Sequence, residues 1–274
     1  MNYKQISDSS IKYKLASLLE ETGAGQMKIR NIYEEISVSE EQIVNPKRFA
    51  NFRDRLKRDR VEIIAEWEDC YPRGLLHLSD RPLLFFIRGS KHLLQKKMIT
   101  VVGTRKCTGY GFRFISDLVR IASEYDVVLV SGLAYGIDSA VHSECLKHDV
   151  PTIAVVAGGI DVGYPSCKDV LYHELVQKGL IIAEFPPSYE VCKGMFPLRN
   201  RILAALSVCT IVVEAPEKSG ALITSSWAVE LGREVYPLPG NIYGENSKGC
   251  NELIRSGANP IVSLSDIHEI FRSI

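Results

Sequence analysis

The chain has 274 residues, 46% of them hydrophobic and 24% charged, and its 33 basic side chains are cancelled by 33 acidic ones. Such a chain can bury a sizeable core, as one large domain or as a medium domain with a small one beside it. Zero net charge excludes a basic field over the whole molecule, so any nucleic-acid contact must come from a local patch.

Residues 1–68 read as a separate small bundle of short helices. Ile11, Leu15, Leu18 and Leu19 recur at helical spacing, as do Ile29, Ile32, Tyr33 and Ile36, and then Phe49, Phe52 and Leu56. The stretch PKRFANFRDRLKRDR, Pro46 to Arg60, is its most basic part and is either a solvated helix face or an auxiliary nucleic-acid contact. Cys70 to Gly89 is a connector, kept extended by Pro72 and Pro82, that becomes a strand at Leu83–Ile87. From Met98 onward, short apolar strands alternate with helices. Strands are expected at 98–102, 127–130, 152–156, 180–183, 210–214 and 234–238, and a last one near Pro260–Val262. Helices are expected from Tyr110, with Phe112, Ile115, Leu118, Val119 and Ala122 on one face, and from Gly136. Others follow at 168–177, 199–206, 221–231, 249–256 and 265–271, with 184–197 irregular. This alternation implies an α/β fold around a mostly parallel sheet covered on both faces.

Open sheets of this kind bind ligands at the carboxyl ends of their strands. The loops there are rich in glycine and hydroxyl groups, which lets backbone N–H groups approach an anion. The first loop, G-T-R-K-C-T-G-Y-G, is not the dinucleotide fingerprint, and Ser131-Gly132 stands where an acidic residue would hold a ribose. No Walker-type phosphate loop occurs. What remains is a set of anion-seeking groups: Gly103, Thr104 and Arg105; Ser131 and Gly132; Gly158 and Gly159; Phe196, Arg199, Asn200 and Arg201; Lys218, Ser219 and Gly220. Several such loops suit a polyphosphate chain, and an aromatic among arginines suits a single strand, whose bases stack while its phosphates pair. Each group has a structural alternative. Arg105 could pair with Asp138, Arg201 could pair with Glu214 or Glu184, Phe196 could be core, and the glycines could be tight turns. Asp138 and His142, four apart, read as a helix cap and a satisfied histidine rather than an acid–base pair. Seven scattered cysteines with no C-x-x-C pair indicate reduced thiols and no zinc site. The polar N-terminus lacks the core of a secretion signal and no apolar run reaches about 18 residues, so a cytoplasmic location with no membrane span is expected.

Taken together, G-T-R-x-x-x-x-Y-G, S-G-x-A-x-G-I-D-x-x-x-H, G-G-I-D-x-x-Y-P, F-P-x-R-N-R-I, S-G-A-L-I-T and P-G-N-I…S-x-G-x-N-x-L-I-x-x-G-A resemble the DprA (Smf) family, the DNA-processing proteins of natural transformation. The upstream Y-P-x-x-L…P-L-L-F-F-x-R-G fits as well, so the resemblance runs from Tyr71 to Val262. It implies an extended Rossmann-like domain at 69–274 after a sterile-alpha-motif-like helical domain at 1–68. It further implies a non-enzymatic homodimer that binds single-stranded DNA cooperatively, protects incoming DNA, and loads the RecA recombinase, also onto DNA coated with single-strand-binding protein. No cofactor is implied. In the family, the residues corresponding to Arg105, Ser131 and Gly132 line the DNA pocket, and the loop of Phe196, Arg199, Asn200 and Arg201 belongs to the same region, as does that of Lys218, Ser219 and Gly220. Many relatives continue into a C-terminal winged-helix domain, whereas this sequence ends at Ile274. Dimerisation is therefore expected to rest on the Rossmann-like domain, with Leu253, Ile254 and Ile261 as contact or core residues. Two rival functions follow from the same fold. One is a phosphoribohydrolase, which would need a P-G-G-x-G-T-x-x-E motif whose glutamate has no clear counterpart here. The other is a sensor of a small nucleotide.

Overall fold

The computed structural model describes residues 9–23, 25–35, 44–162 and 170–274. Its spine is an eight-stranded sheet: β1 (Glu62–Ala65), β2 (Leu84–Gly89), β3 (Lys97–Val102), β4 (Val127–Ser131), β5 (Thr152–Gly159), β6 (Leu180–Phe185), β7 (Cys209–Val212) and β8 (Glu234–Pro237). The spatial order is β1-β2-β6-β5-β4-β3-β7-β8. The six strands from β6 to β8 in that order run parallel, while β2 is antiparallel to both β1 and β6. The order turns back on itself beside β3, where the chain goes to β4 on one side and β7 on the other. That switch point opens a crevice at the strands' carboxyl ends.

Side chains alternate between faces, as strand geometry requires. Phe85 and Ile87 of β2 and Leu180 and Ile182 of β6 point to one face, where α7 (Met195–Leu206), α8 (Gly220–Glu230) and α9 (Lys248–Arg255) close the core. Leu84, Phe86, Ile181 and Ala183 point to the other. There α1 (Ser9–Thr22), α2 (Gln26–Glu35), α3 (Pro46–Arg58) and α6 (Val170–Lys178) cover one half of the sheet. The other half lies under α4 (Gly109–Ala122), α5 (Ile137–Lys147) and α10 (Leu264–Ser273).

Three local expectations change. The sheet begins at Glu62, inside the stretch read as helical, because Ile63, Ile64 and Ala65 pair with β2 in register and are buried. In α4 it is Phe114 that is buried, while Phe112 is 50% exposed. Residues 260–262 are not a strand, although Ile261 N–H donates to Pro237 O at 3.1 Å. Ile36, the turn at 164–166 and the start expected for α6 at 168 lie outside the described residues. The six cysteines among the described residues are free thiols. Among those residues no helix is long and apolar enough to cross a membrane, and no cluster of side chains has the make-up of a metal site.

Candidate nucleic-acid interface

A cleft of about 360 Å³ lies at the switch point. Its walls are the loop after β3, Ala134 and Asp138 from the segment after β4, the start of α7, and the loop after β7 with the start of α8. Of the residues singled out in the sequence, Gly103, Thr104, Arg105, Phe196, Arg199, Asn200, Ser219 and Gly220 line it. Lys218 is exposed on the same loop as Ser219, just outside the cleft.

The loop after β3 is tethered on both sides. Thr104 N–H donates to Glu214 O at 2.7 Å, and Thr104 O accepts from Ile137 N–H at 3.1 Å. Gly136 permits that closeness: its φ is +82°, and a Cβ there would lie 2.3 Å from Thr104 O. Arg105 is exposed and stands over the Phe196 ring, 5.2 Å from its centroid. Phe196, Arg199, Asn200 and Leu203 follow the i, i+3, i+4, i+7 pattern, so one face of α7 presents all four to the cleft. Ser219 is the residue before α8, and its hydroxyl is buried with no hydrogen-bond partner among the described residues. The first N–H groups of α8 leave this side of the cleft electropositive.

Arg199 is buried beneath the cleft and works as a strut. Its Nη1 donates to Gly132 O and Val155 O, joining the end of β4 and the middle of β5 to α7. Its Nε donates to Asn200 Oδ1 at 3.1 Å, and Asn200 Nδ2 donates to Gly220 O at 3.1 Å. Both ends of the Asn200 amide are thereby assigned, and α7 is locked to α8. Gly132 leaves room for the guanidinium: a Cβ there would lie 2.3 Å from Arg199 Nη1. Asp138 is the charge beneath. Burial pushes its carboxyl above the usual range and the Arg199 guanidinium draws it back, while burial lowers Arg199 itself. Asp138 thus lies in the field of Arg199.

The remaining candidates are not brought to the cleft surface. Ser131 is fully buried and its hydroxyl donates to Val101 O at 2.7 Å. Gly158 and Gly159 lie beneath 186–191, where a Cβ on Gly159 would meet Pro186 O at 2.5 Å. Arg201 points off the cleft face of α7 and pairs with Glu184 at 2.6 Å and Asp80 at 3.0 Å, rather than with Glu214. Glu214 instead accepts from the Thr108 hydroxyl at 2.7 Å and its N–H at 2.9 Å, fixing the start of α4. The expected row of turns thus contracts to the loops after β3 and β7 and one helix face, with Ala134 and Asp138 after β4 completing the lining. Sequence reasoning missed Lys106, Leu203, Pro216 and Thr224 as lining residues, and gave Asp138 no place there. Leu203 was recoverable from the helical phase begun at Phe196, and Lys106 from its place beside Arg105.

The fold and cleft define an α/β protein with a crevice lined by Arg105, Lys106 and Arg199 at the switch point of an extended, mostly parallel sheet. A family model described as DNA recombination-mediator protein A matches residues 62–272, and the chain belongs to that family. It is 40% identical over 200 residues to the DNA processing protein DprA of Streptococcus pneumoniae, covering 73% of this chain and 71% of that one. The DprA of Bacillus subtilis is likewise 40% identical over 200 residues, 73% of this chain and 67% of its own. The chain spans 49% of the length of its Mycobacterium tuberculosis relatives. Among solved structures, the X-ray structure of the S. pneumoniae protein superposes with a TM-score of 0.81 at 32% identity, covering 95% of this chain and 98% of that one. The Helicobacter pylori protein, reported for its single-stranded DNA binding mode, gives 0.71 at 27% identity over 78% of this chain and 97% of its own.

Proposed function

We propose that this chain is a non-enzymatic mediator of recombination. In this reading it binds single-stranded DNA in the cytoplasm, protects incoming strands during natural transformation and loads RecA onto them. It acts as a homodimer, and single-strand-binding protein is the further partner. The observation that carries the reading is the pairing of Arg105 with Phe196 at the mouth of the cleft. A guanidinium seats a phosphate, and a ring face beside it takes a base. The Ser219 hydroxyl and the start of α8 offer a second anion seat. Nothing in such a site depends on which base is present. Membership of the family and the ligand of the H. pylori relative support the same reading.

The test is fluorescence anisotropy with oligo-dT and with duplex across a salt series. Single strands bind more tightly, and log K falls against log salt by about 0.7 for each phosphate engaged. Arg105→Ala weakens every sequence alike and reduces that slope by about 0.7. Equal affinity for duplex, a flat salt response, or release of free base from AMP would overturn the proposal.

A further inference from the structure

Beyond the cleft, the loop from Pro239 to Lys248 carries the most exposed large apolar side chains among the described residues: Tyr243 is 87% exposed and Ile242 75%. Neither has a packing role. Yet the loop is firmly held. Asn241 Oδ1 accepts from Tyr243 N–H and Asn241 O from Gly244 N–H, both at 2.9 Å. Asn251 brackets Gly240, accepting from its N–H at 3.2 Å and donating to its carbonyl at 3.1 Å. The far end is tied to the cleft itself: Asn246 Nδ2 donates to Lys106 O at 2.8 Å, and Asn246 O accepts from Ala215 N–H at 2.7 Å. Lys106 and Pro216, the next residue after Ala215, line the cleft. Between the two loops lies a second hollow of about 560 Å³, which includes Thr108 and Tyr110; the Tyr110 hydroxyl donates to Pro239 O at 2.8 Å.

We infer that Tyr243 is a stacking platform for a base of the same single strand just outside the cleft, on the side of Lys106. The inference rests on the single-strand reading of the cleft. An aromatic ring in water at a pre-ordered position loses little entropy when a flat apolar ligand covers it, and a nucleobase presents such a face whatever its identity. Charge on the way is suitable. Lys106 and Lys218 are exposed, and Lys248 faces both nearby carboxylates, Glu245 at 2.7 Å and, more distantly, Glu217. A strand that leaves the cleft past Lys106 therefore meets cations and then a ring, the pairing already present at Arg105 and Phe196.

The experiment compares two oligo-dT probes, one of about 3 nucleotides that fills only the cleft and one of about 12 that reaches past it. Tyr243→Ala weakens the long probe by about tenfold, the loss of one stacked base, and leaves the short one unchanged. Tyr243→Phe retains the affinity, and the fluorescence of Tyr243→Trp is quenched by the long probe alone. An unchanged affinity of Tyr243→Ala for the long probe overturns the inference, as does a loss equal for both probes. A change in sedimenting mass with unchanged affinity overturns it too, by assigning the ring to a second copy of the chain. If Arg105→Ala weakens neither probe, it is the cleft reading that falls, whatever Tyr243 does.

Discussion

Arg105 and Arg199 are the same residue type at the same cleft with opposite surroundings, and their substitution separates binding from stability. Arg105 is exposed, so its loss costs affinity and leaves stability within about 0.5 kcal/mol. Arg199 is buried and holds the carbonyls of Gly132, just past β4, and of Val155, within β5. Arg199→Leu leaves the Gly132 and Val155 carbonyls buried without their donor, at a cost of about 1–3 kcal/mol each. Urea unfolding reads the difference; an unchanged midpoint for Arg199→Leu would show that it is no strut. His142 adds a pH signature. Thr152 Oγ1 donates to Leu129 O at 2.8 Å, so it accepts from His142 Nδ1 at 2.8 Å, which fixes the ring's tautomer. Burial first, and then the Arg199 charge, lower this histidine from 6.5 to about 3. The unfolded chain therefore takes up a proton between those values and the folded one does not. His142 thus favours folding fully above pH 6.5, and its contribution falls by up to about 1.4 kcal/mol per pH unit as pH drops toward 3. Glu184 and Asp138, raised by burial, act with the opposite sign, so the variant and not the whole curve carries the test. The stability gap between the native chain and His142→Gln narrows as the solution is acidified below 6.5; a gap independent of pH would mean that the buried ring is protonated.

At the scale of elements, what the sequence made legible was whatever one strand or one helix decides alone. Apolar runs such as Ile99–Val102 and Val127–Val130 appear as strands because a continuous β-branched stretch can be covered on both faces only inside a parallel sheet. The helix starts were less legible, and one of them decided the site. Residues 184–197 read as irregular, yet α7 begins at Met195. Had the helical phase been run from Phe196, it would have grouped Phe196, Arg199, Asn200 and Leu203 and set Arg201 apart, since neighbours two positions apart point in different directions. Arg201 could not be separated from Arg199 by residue type, because both guanidiniums are buried and only their partners differ. The glycines posed the same difficulty. Gly132 and Gly159 look like anion-binding turns in sequence, but one makes room for Arg199 and the other for Pro186 O. Close approach to a ligand and close approach to the chain itself require the same missing Cβ.

Across the whole molecule, the boundary expected near residue 69 does not coincide with a break in packing. Ile11, Leu15, Ile29, Phe52 and Leu56 of the first three helices share one buried cluster with Ile63, Leu84, Phe86 and Ile181 of the sheet. Polar groups stitch the same seam. Gln26 Oε1 accepts from Leu83 N–H at 3.1 Å, and its Nε2 donates to Leu84 O at 2.9 Å and Glu184 O at 3.2 Å. Lys12 Nζ donates to Ile63 O at 3.0 Å and pairs with Glu68 at 2.7 Å. These helices pack on one another as well as on the sheet, but their buried side chains run on into those of the sheet without a break, so helices and sheet melt together in one calorimetric transition. Gln26→Ala strips hydrogen bonds from the seam at a cost of about 1–3 kcal/mol and lowers that single transition by a few degrees without splitting it. Two resolved transitions, of which Gln26→Ala moves only the first, would mean that the helices fold as their own unit and merely rest on the sheet. The seam would then be a docking contact and not a continuation of the core.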